Sequence, residues 1–392
     1  MPETVPMSSP DLSDAERRAV DEVLATPRLS MGPQVEAFET AVATRLGAKH
    51  AIAVSSGTAG LHLCVRAAGI HDGDWVITTP FSFVASANVL LYERAVPIFV
   101  DVDPSTANID PELTAEAAQA LTRGGVATGR WLPRKGVPAG GSLKGLLPVD
   151  AFGQPADFDA LMATATQHSL AVIEDSCEAL GAEYKGRAAG MLGDAGVFGF
   201  YPNKQITTGE GGLVLTDRDD WAEMVRSLRN QGRAPGDTWL EHTYLGYNYR
   251  LDELSAAMGL AQFGRLDELL VGRDRVAGWY AERLAEMPEI DMLPIAATTT
   301  RVSWFVYIIR LPARADRTEV IRRLDDKGIP ARPYFSPIHL MRYFVDMFGY
   351  AVGDFPIAED LGRRSLALPF SGVMTEDQVD LTCRELRRVL MS

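Results

Sequence analysis

The chain has 392 residues, more than one ordinary hydrophobic core accommodates, so its length predicts two lobes or a large domain with a smaller appendage. Its net charge of −14 argues against a nucleic-acid-binding protein, because phosphate contacts require clustered lysine and arginine. No uncharged apolar run approaches the roughly 20 residues that span a bilayer. The first residues lack the basic and apolar regions of a signal peptide, so we expect a cytoplasmic protein without a membrane partner.

The three cysteines, Cys64, Cys177 and Cys383, are widely separated and form no CxxC pair. They therefore indicate neither a metal site nor a disulfide framework, as expected in a reducing compartment. Cys177 closely follows two acidic residues and could be a nucleophile. A small buried residue after a strand is the favoured interpretation.

Strand and helix patterns alternate along the first part of the chain. Helices are predicted within residues 12–46, with a loop at 27–33, then up to residue 68, at 82–92 and at 114–121; strands are predicted at 50–54, 75–79, 96–102, 146–149, 171–174, 195–200 and 212–216. This alternation predicts an α/β fold whose mostly parallel sheet is covered by helices on both faces.

Residues 123–144 interrupt the alternation with glycines, two prolines and several basic side chains. A surface insertion is the favoured interpretation, and a basic lid that steers anions is the alternative. The remaining predicted elements are a helix at 254–270 that continues toward 287, a strand at 304–311, a helix at 317–327, a strand or loop at 328–334 and a helix at 375–391. We therefore predict a large domain over residues 1–262 and a smaller C-terminal α/β domain over 263–392.

Two strand ends in the first half of the chain carry residues suited to ligand binding. SSGTAG (residues 55–60) joins a strand to a helix, and amides and hydroxyls at such a junction bind phosphate, although a plain helix cap explains them equally well. TPFSF (residues 79–83) ends the next strand, at the edge where ligands of open α/β sheets bind. Phe83 could stack there on a cofactor ring, whereas a lone phenylalanine is more often part of a core.

An acidic strand end and a lysine together predict a particular cofactor. AVIEDS (residues 171–176) is an apolar strand ending in two acids, and a buried carboxylate needs a partner such as a protonated pyridine nitrogen or a basic side chain. Lys204 follows Asp175 by 29 residues, within the aromatic and glycine-flanked segment FGFYPNKQITTGEGG (residues 198–212). Most lysines are surface residues, but this combination predicts a Schiff base with pyridoxal 5'-phosphate (PLP).

Four segments carry a resemblance to a known family. They are SGTAGLH (residues 56–62), ED (174–175), NKQITTGEGG (203–212) and GYNYRL (246–251). In order and spacing they resemble the DegT-type nucleotide-sugar aminotransferases, which have the aspartate aminotransferase fold (fold type I). The likeness runs from about residue 29 to the C-terminus. It implies a PLP-dependent aminotransferase that converts a nucleotide-linked 3- or 4-keto hexose to an amino sugar, with glutamate or glutamine as amino donor; a keto-cyclitol aminotransferase is the alternative.

The resemblance also implies roles for individual residues. Lys204 would be the Schiff-base lysine and proton shuttle, and Asp175 would bind the pyridine nitrogen. The other cofactor-binding residues would be Gly57, Thr58 and Ala59 at the phosphate, Phe83 on the ring, Glu178 at the phenolic oxygen, and Asn248 at the phosphate of the neighbouring subunit. The residues near the substrate would be Arg250, Tyr334 and His339, the last being equally compatible with a structural histidine. The role of Asn248 implies a homodimer with shared active sites, and no metal is implied.

Three residues depart from the pattern usual in that family. Glu178 stands where glutamine is usual, Gly199 where a phosphate-binding serine is frequent, and Asp150 where histidine is usual. A carboxylate at Glu178 would repel the cofactor's phenolic oxygen, so either its carboxyl is protonated or its contact differs.

Three other functions are alternatives to this prediction. Family relatives that dehydrate sugars carry histidine in place of the lysine, so Lys204 argues against dehydration. A nicotinamide dehydrogenase would need a GxGxxG motif in the first strand–helix unit, which is absent from the sequence. A PLP-independent binding or regulatory protein on the same fold is the alternative from another class.

Overall fold

The structure, a computed structural model, describes residues 5–391; residues 1–4, part of the segment assessed for a signal peptide, and residue 392 lie outside this range. The helices are α1 (Asp14–Leu24), α2 (Pro33–Leu46), α3 (Gly57–Ala67), α4 (Ala85–Tyr92), α5 (Pro111–Arg123), α6 (Phe158–His168), α7 (Asp219–Arg229), α8 (Glu253–Gly264), α9 (Leu266–Leu284), α10 (Arg317–Asp325), α11 (Arg342–Phe348), α12 (Pro356–Arg364) and α13 (Glu376–Met391). The strands are β1 (His50–Val54), β2 (Trp75–Thr78), β3 (Val96–Phe99), β4 (Leu143–Leu147), β5 (Ala171–Asp175), β6 (Glu183–Tyr184), β7 (Arg187–Ala188), β8 (Ala195–Gly199), β9 (Gly212–Thr216), β10 (Asp291–Met292), β11 (Thr299–Arg301), β12 (Tyr307–Arg310) and β13 (Ser365–Leu368).

Seven strands form the central sheet, in the order β1-β9-β8-β5-β4-β2-β3. Strands β8, β5, β4, β2 and β3 are parallel neighbours, and β9 runs antiparallel to both β1 and β8. The predicted mostly parallel α/β sheet is therefore confirmed. Because β1, β2, β5 and β8 run in the same direction, the residues that follow them lie along one edge of the sheet.

Alternating side chains place a core on each face of the sheet. Val197 of β8 packs toward α3 and α7, whereas Phe198, the next residue, packs toward α2 and α8. This period of two is the reason that apolar runs form the central strands. Within residues 5–391 no helix is both long and apolar enough to cross a membrane.

A second core lies in the C-terminal part of the chain. The sheet β10-β12-β13 packs with α9, α10 and α13, and Val5 from the N-terminal segment joins this core. Val5 N donates to Gly328 O at 3.1 Å, so the start of the chain is attached to this lobe. Helix α11 packs instead against the central sheet, with Phe344 in contact with Phe99 of β3. The predicted division at residue 262 stays a prediction, and it falls near the junction of α8 and α9.

Several element bounds differ from those predicted. The helix predicted at 254–270 ends at Gly264, and α9 begins two residues later. The strand predicted at 304–311 begins only at Tyr307, because the main chain of the preceding aromatic residues turns toward Arg273. Residues 328–334 form no strand beyond one bridge between Arg332 and Ala367.

The 123–144 segment is attached to the rest of the protein. It contains a 3₁₀ turn over Gly125–Arg130, and Trp131 packs against the core of the large sheet. Both terminal nitrogens of Arg134 donate to the Asp354 carboxylate, at 2.6 and 2.5 Å. This arginine is therefore engaged by a carboxylate and not left for anions.

Helix α3 approaches the sheet very closely at Gly60. A Cβ atom built on Gly60 would lie 2.7 Å from Val197 Cγ1 and 3.2 Å from Val214 Cγ2. Real side chains do not approach this closely, so the close packing of α3 depends on glycine. The approach places the first turn of α3 over the carboxyl end of β8.

We predict that Gly60→Ala lowers the free energy of unfolding by about 1–3 kcal/mol, because the added methyl overpacks this contact. Gly278→Ala is the matched control, since it lies inside α9 with no atom within 4 Å of the added Cβ. Alanine's helix propensity should there raise stability by up to about 1 kcal/mol. Urea unfolding of both variants provides the measurement, and changes of the same sign would contradict the packing argument.

Candidate active site

Lys204 lies in the turn between β8 and β9, at the carboxyl edge of the sheet. Its main-chain N–H donates to Tyr201 O at 2.9 Å, and its side chain is 14% exposed. The Nζ atom lies 3.9 Å from Glu178 Oε1 and 3.8 Å from the centre of the Phe305 ring. The Glu178 oxygen is beyond hydrogen-bonding distance, so the amine lies beside an acid without being bonded to it.

Asp175 ends β5 and is almost fully buried. Its Oδ1 accepts a hydrogen bond from Cys177 N at 3.2 Å, and its Oδ2 accepts one from Ser86 Oγ at 2.8 Å. Ser86 Oγ also lies 3.2 Å from Phe83 O and so connects the acid to the loop after β2. The Phe83 side chain is 63% exposed, which leaves a face of its ring uncovered for stacking.

Glu178 lies between Lys204 and the loop after β4. Its Oε2 accepts a hydrogen bond from Phe152 N at 2.9 Å, and the residue is 5% exposed. Burial raises the pKa of the Glu178 carboxyl, and the nearby Asp175 charge raises it further, against the opposing effects of Lys204 and the Phe152 amide. A carboxyl in this environment keeps its proton to higher pH than an exposed glutamate, and a protonated carboxyl can donate a hydrogen bond.

The start of α3 lies next to these groups. A Cβ on Gly57 would lie 2.6 Å from Cys177 Sγ, so only glycine allows the loop to approach the end of β5 this closely. The first amides of a helix have no intrahelical partner, which makes those of Gly57 and Thr58 suitable donors to phosphate. The Ala59 amide already donates to Ser56 Oγ at 3.0 Å, so the predicted Ala59 contact would compete with a helix cap.

Gly199 leaves room beside this loop. A Cβ added there would meet Cys177 Sγ at 3.5 Å, an ordinary contact distance. The serine frequent at this position in the resembled family would therefore fit without displacing its neighbours. Glycine does not fill that volume, and it lacks the hydroxyl that a serine would supply.

Asp150 belongs to a buried acidic pair behind the site. It has no exposed surface, its Oδ1 accepts from Ala156 N at 3.0 Å, and its Oδ2 lies 2.8 Å from Ser176 Oγ. Ser176 Oγ is also 2.9 Å from Glu174 Oε1. Burial and the charge of Glu174 raise the pKa of Asp150, so a proton is retained between the two acids.

Tyr334 and His339 were both predicted to lie near the substrate, but their surroundings differ from each other. The Tyr334 ring stacks 6.2 Å from that of Phe305, whose ring lies 3.8 Å from Lys204 Nζ, so Tyr334 lies at the site. Burial and the charge of Glu178 raise the pKa of its hydroxyl. His339 is fully buried, its Nε2 lies 3.1 Å from Glu359 Oε1, and its ring packs 4.7 Å from that of Phe355. This placement fits the structural alternative for His339 and does not bring its side chain to Lys204.

The segment at residues 246–251 runs beside the loop between β1 and α3 of its own chain. Ser55 N donates to Tyr249 O at 2.8 Å, and Arg250 Nη1 donates to Asn230 Oδ1 at 3.0 Å. Asn248 is exposed to solvent. The single chain thus presents Asn248 at the rim and does not join it to Asp175.

Three residues at the site were not anticipated from the sequence. Phe305 contacts the Lys204 amine, Ser86 bonds to Asp175, and Arg273 lies behind the lysine turn. Ser86 follows Phe83 by one helical turn, and that spacing is a usable signal. Nothing local in the sequence connects Phe305 or Arg273 with a lysine so distant along the chain.

Comparison with known proteins identifies the class. The model of the DegT/DnrJ/EryC1/StrS aminotransferase family matches residues 10–387. The chain belongs to this family of PLP-dependent enzymes and is an aminotransferase.

Individual relatives agree with this assignment. GDP-perosamine synthase from Caulobacter vibrioides is 39% identical, over 99% of this chain and 98% of its own. The solved structure of S. venezuelae DesV in complex with a ketimine intermediate is 30% identical, covers 99% of both chains and superposes with a TM-score of 0.86. A Brucella abortus aminotransferase of the same family is 30% identical over 96% of this chain and 95% of its own, with a TM-score of 0.84. The expected fold and family are confirmed.

The residues present fit PLP. An amine, a buried acid and an uncovered aromatic ring lie along one sheet edge, beside a helix start that glycine opens to close approach. These are the groups needed for an aldehyde, a pyridine nitrogen, a planar ring and a phosphate, respectively. The chemistry of this donor set therefore matches the cofactor of the family.

We predict a pH-dependent stability difference between Glu178→Gln and the wild type, both free of cofactor. The pKa of Glu178 is raised in the folded state. The protonated carboxyl therefore contributes fully to the free energy of unfolding below the ordinary glutamate pKa of 4.5, and this contribution is lost as pH rises through the raised pKa. The variant should therefore gain stability relative to the wild type over that interval. Urea unfolding between about pH 4 and 9 tests this, with exposed Glu36→Gln as control, and a difference independent of pH would contradict it.

Proposed function

We propose that this aminotransferase converts a nucleotide-linked keto hexose, with its ketone at carbon 3 or 4, to the corresponding amino sugar, with glutamate or glutamine as amino donor. The relative named GDP-perosamine synthase, which is similar along nearly its whole length, supports a nucleotide-linked substrate. The observation that carries the reaction is the Lys204 amine, which lies 3.9 Å from a buried glutamate at the sheet edge where Asp175 ends β5.

Individual residues would hold the cofactor as follows. Lys204 would bind its aldehyde covalently, and Asp175 would pair with the ring nitrogen while Ser86 and Cys177 N fix the carboxylate. The exposed ring of Phe83 would cover one face of the cofactor. The amides of Gly57 and Thr58 would bind the phosphate at the start of α3.

Lys204 would also move the proton. PLP stores the amino group between the two half-reactions and withdraws electrons from the carbon that loses its proton. Nζ of Lys204 would take that proton from one carbon and return it to the other as a general acid–base. The packing of Phe305 over the amine limits the water that could exchange with the proton in transit.

Glu178 would act in its protonated form. A neutral carboxyl can donate a hydrogen bond to the phenolic oxygen of the cofactor, whereas a carboxylate would repel it. Burial of Glu178 supports this assignment, since burial disfavours the charged form. The carboxyl would then take the place of the glutamine amide usual in the family.

We further propose a homodimer in which Asn248 of the partner subunit reaches the phosphate. Its exposure at the rim supports a role outside its own chain. Trp239, Leu240 and Leu245, in the adjacent segment, are 77%, 82% and 80% exposed, respectively. Exposed apolar side chains grouped in this way favour contact with a second subunit.

We predict that Lys204→Ala lowers turnover by at least about 10³-fold, because it removes the general acid–base, while the protein still binds PLP noncovalently. Turnover and cofactor retention after gel filtration are the two measurements. Lys185→Ala is the control, because Lys185 pairs with Asp159 at the surface and should be dispensable. Substantial transaminase activity in Lys204→Ala would contradict the assignment.

We predict that the pyridoxamine form of the enzyme returns to the PLP form when a nucleotide-linked keto hexose is added. The absorbance band of PLP reports this half-reaction directly, and a panel of nucleotide keto sugars and keto cyclitols allows a comparison. A response to cyclitols alone would favour the alternative substrate class. A protein that binds no cofactor would favour a binding or regulatory function.

A further inference from the structure

Arg273 on α9 is 4% exposed and lies directly behind the lysine turn. Its Nη2 donates hydrogen bonds to Asn203 O at 3.2 Å and to Lys204 O at 2.5 Å. Its Nη1 donates to Trp304 O at 3.1 Å and to Phe305 O at 3.2 Å. One guanidinium thus joins two segments that are distant in sequence.

Burial of the Arg273 guanidinium costs desolvation free energy, so its position calls for an explanation. Among residues 5–391 it forms no ion pair with a carboxylate, and burial lowers its pKa to about 10. The four carbonyl dipoles and the Phe370 ring, 5.7 Å from the guanidinium carbon, are its compensation. An apolar side chain would fill a buried position without this desolvation cost, so the hydrogen-bonding geometry is what distinguishes arginine here.

The two joined segments are those that place the reactive amine. Lys204 supplies the amine, and the Phe305 ring lies 3.8 Å from its Nζ atom. Because the guanidinium is a rigid planar fork, it fixes the spacing between the main chains of both residues. A lysine at position 273 would present a single flexible donor group and could not maintain that spacing.

The space beside the guanidinium is small. A cavity of about 10 Å³ lies between Arg273, Lys204, Gly372 and the N-terminal residues 9–11. A volume of this size holds at most about one water molecule. Loss of Arg273 would remove the side-chain donor from main-chain carbonyls of both segments.

We propose that Arg273 is a positioning residue that holds the Lys204 amine against Phe305 in the orientation needed for reaction with the cofactor. The inference rests on the proposed covalent role of Lys204. It assigns Arg273 no contact with substrate or cofactor, since its four hydrogen bonds all go to main-chain carbonyls. Its effect on the reaction is transmitted through the geometry of the lysine turn.

The test compares Arg273→Lys with Arg275→Lys, which changes an exposed arginine on the same helix. Cofactor-free protein would be mixed with PLP, and attachment to Lys204 would be followed by borohydride trapping and peptide mass. Arg273→Lys should slow attachment by about tenfold to a hundredfold and lower kcat similarly with KM little changed, because displacement of a reacting group by about 1 Å has effects of this size. Arg275→Lys should react at the wild-type rate.

Hydrogen exchange supplies a readout independent of the cofactor. Amides of residues 203–206 and 304–306 should exchange faster in Arg273→Lys and be unchanged in Arg275→Lys. Attachment at the wild-type rate in folded Arg273→Lys overturns the proposal, whether or not exchange is faster, because a merely structural role would leave Lys204 reactivity unaltered.

A second variant keeps the proposal testable if Arg273→Lys does not fold. Phe305→Leu removes the ring against which the amine is held and should also slow attachment to Lys204. A wild-type rate in Phe305→Leu would overturn the positioning role. Absence of label on Lys204 in the wild-type protein would instead overturn the proposed function on which the inference rests.

Discussion

Three acidic side chains crowd the carboxyl end of β5, and the need to compensate their burial organises the site. Glu174, Asp175 and Glu178 are 0%, 5% and 5% exposed. A buried carboxyl is costly unless it is hydrogen-bonded, paired or protonated. Each of the three accepts hydrogen bonds from a different part of the chain, so satisfying them brings the loops after β2, β4 and β5 together.

The three acids meet this requirement in different ways, and the differences suit different tasks. Glu174 accepts hydrogen bonds from the amides of Gly190 and Leu192 and shares a proton with Asp150, so its interactions stabilise the fold. Asp175 is held by two donors, a serine hydroxyl and a main-chain amide, which suits the pairing proposed with the ring nitrogen. Glu178 has a single amide donor and lies near Lys204, so its protonation can respond to what binds there.

The features of the fold and site that could be predicted from the sequence are those determined by local residue patterns. Strands β1 and β9 have the predicted bounds, because short apolar runs there are followed by serine or preceded by glycine. The proximity of Asp175 to the lysine turn follows from parallel strands ending at one edge. Burial of a carboxylate or of a lysine amine costs free energy, so these residues in such positions indicate a functional site.

The remaining features depend on tertiary packing and have no local signal. Trp304 and Phe305 belong to an apolar run that predicts strand, but Arg273 draws their carbonyls into a turn. The burial of His339 comes from Phe355 and Glu359, residues that follow it only after an intervening helix. The proposed role of Asn248 would involve a second chain, so no pattern within one chain predicts where that contact lies.

The proposed reaction depends on Lys204 as the covalent attachment point of PLP. Reduction of the PLP-loaded wild-type enzyme with borohydride, followed by digestion and tandem mass spectrometry, tests it most directly. We expect one stoichiometric pyridoxyl modification on the peptide that contains Lys204. Modification of a different lysine, or a protein that carries no cofactor to reduce, would contradict it.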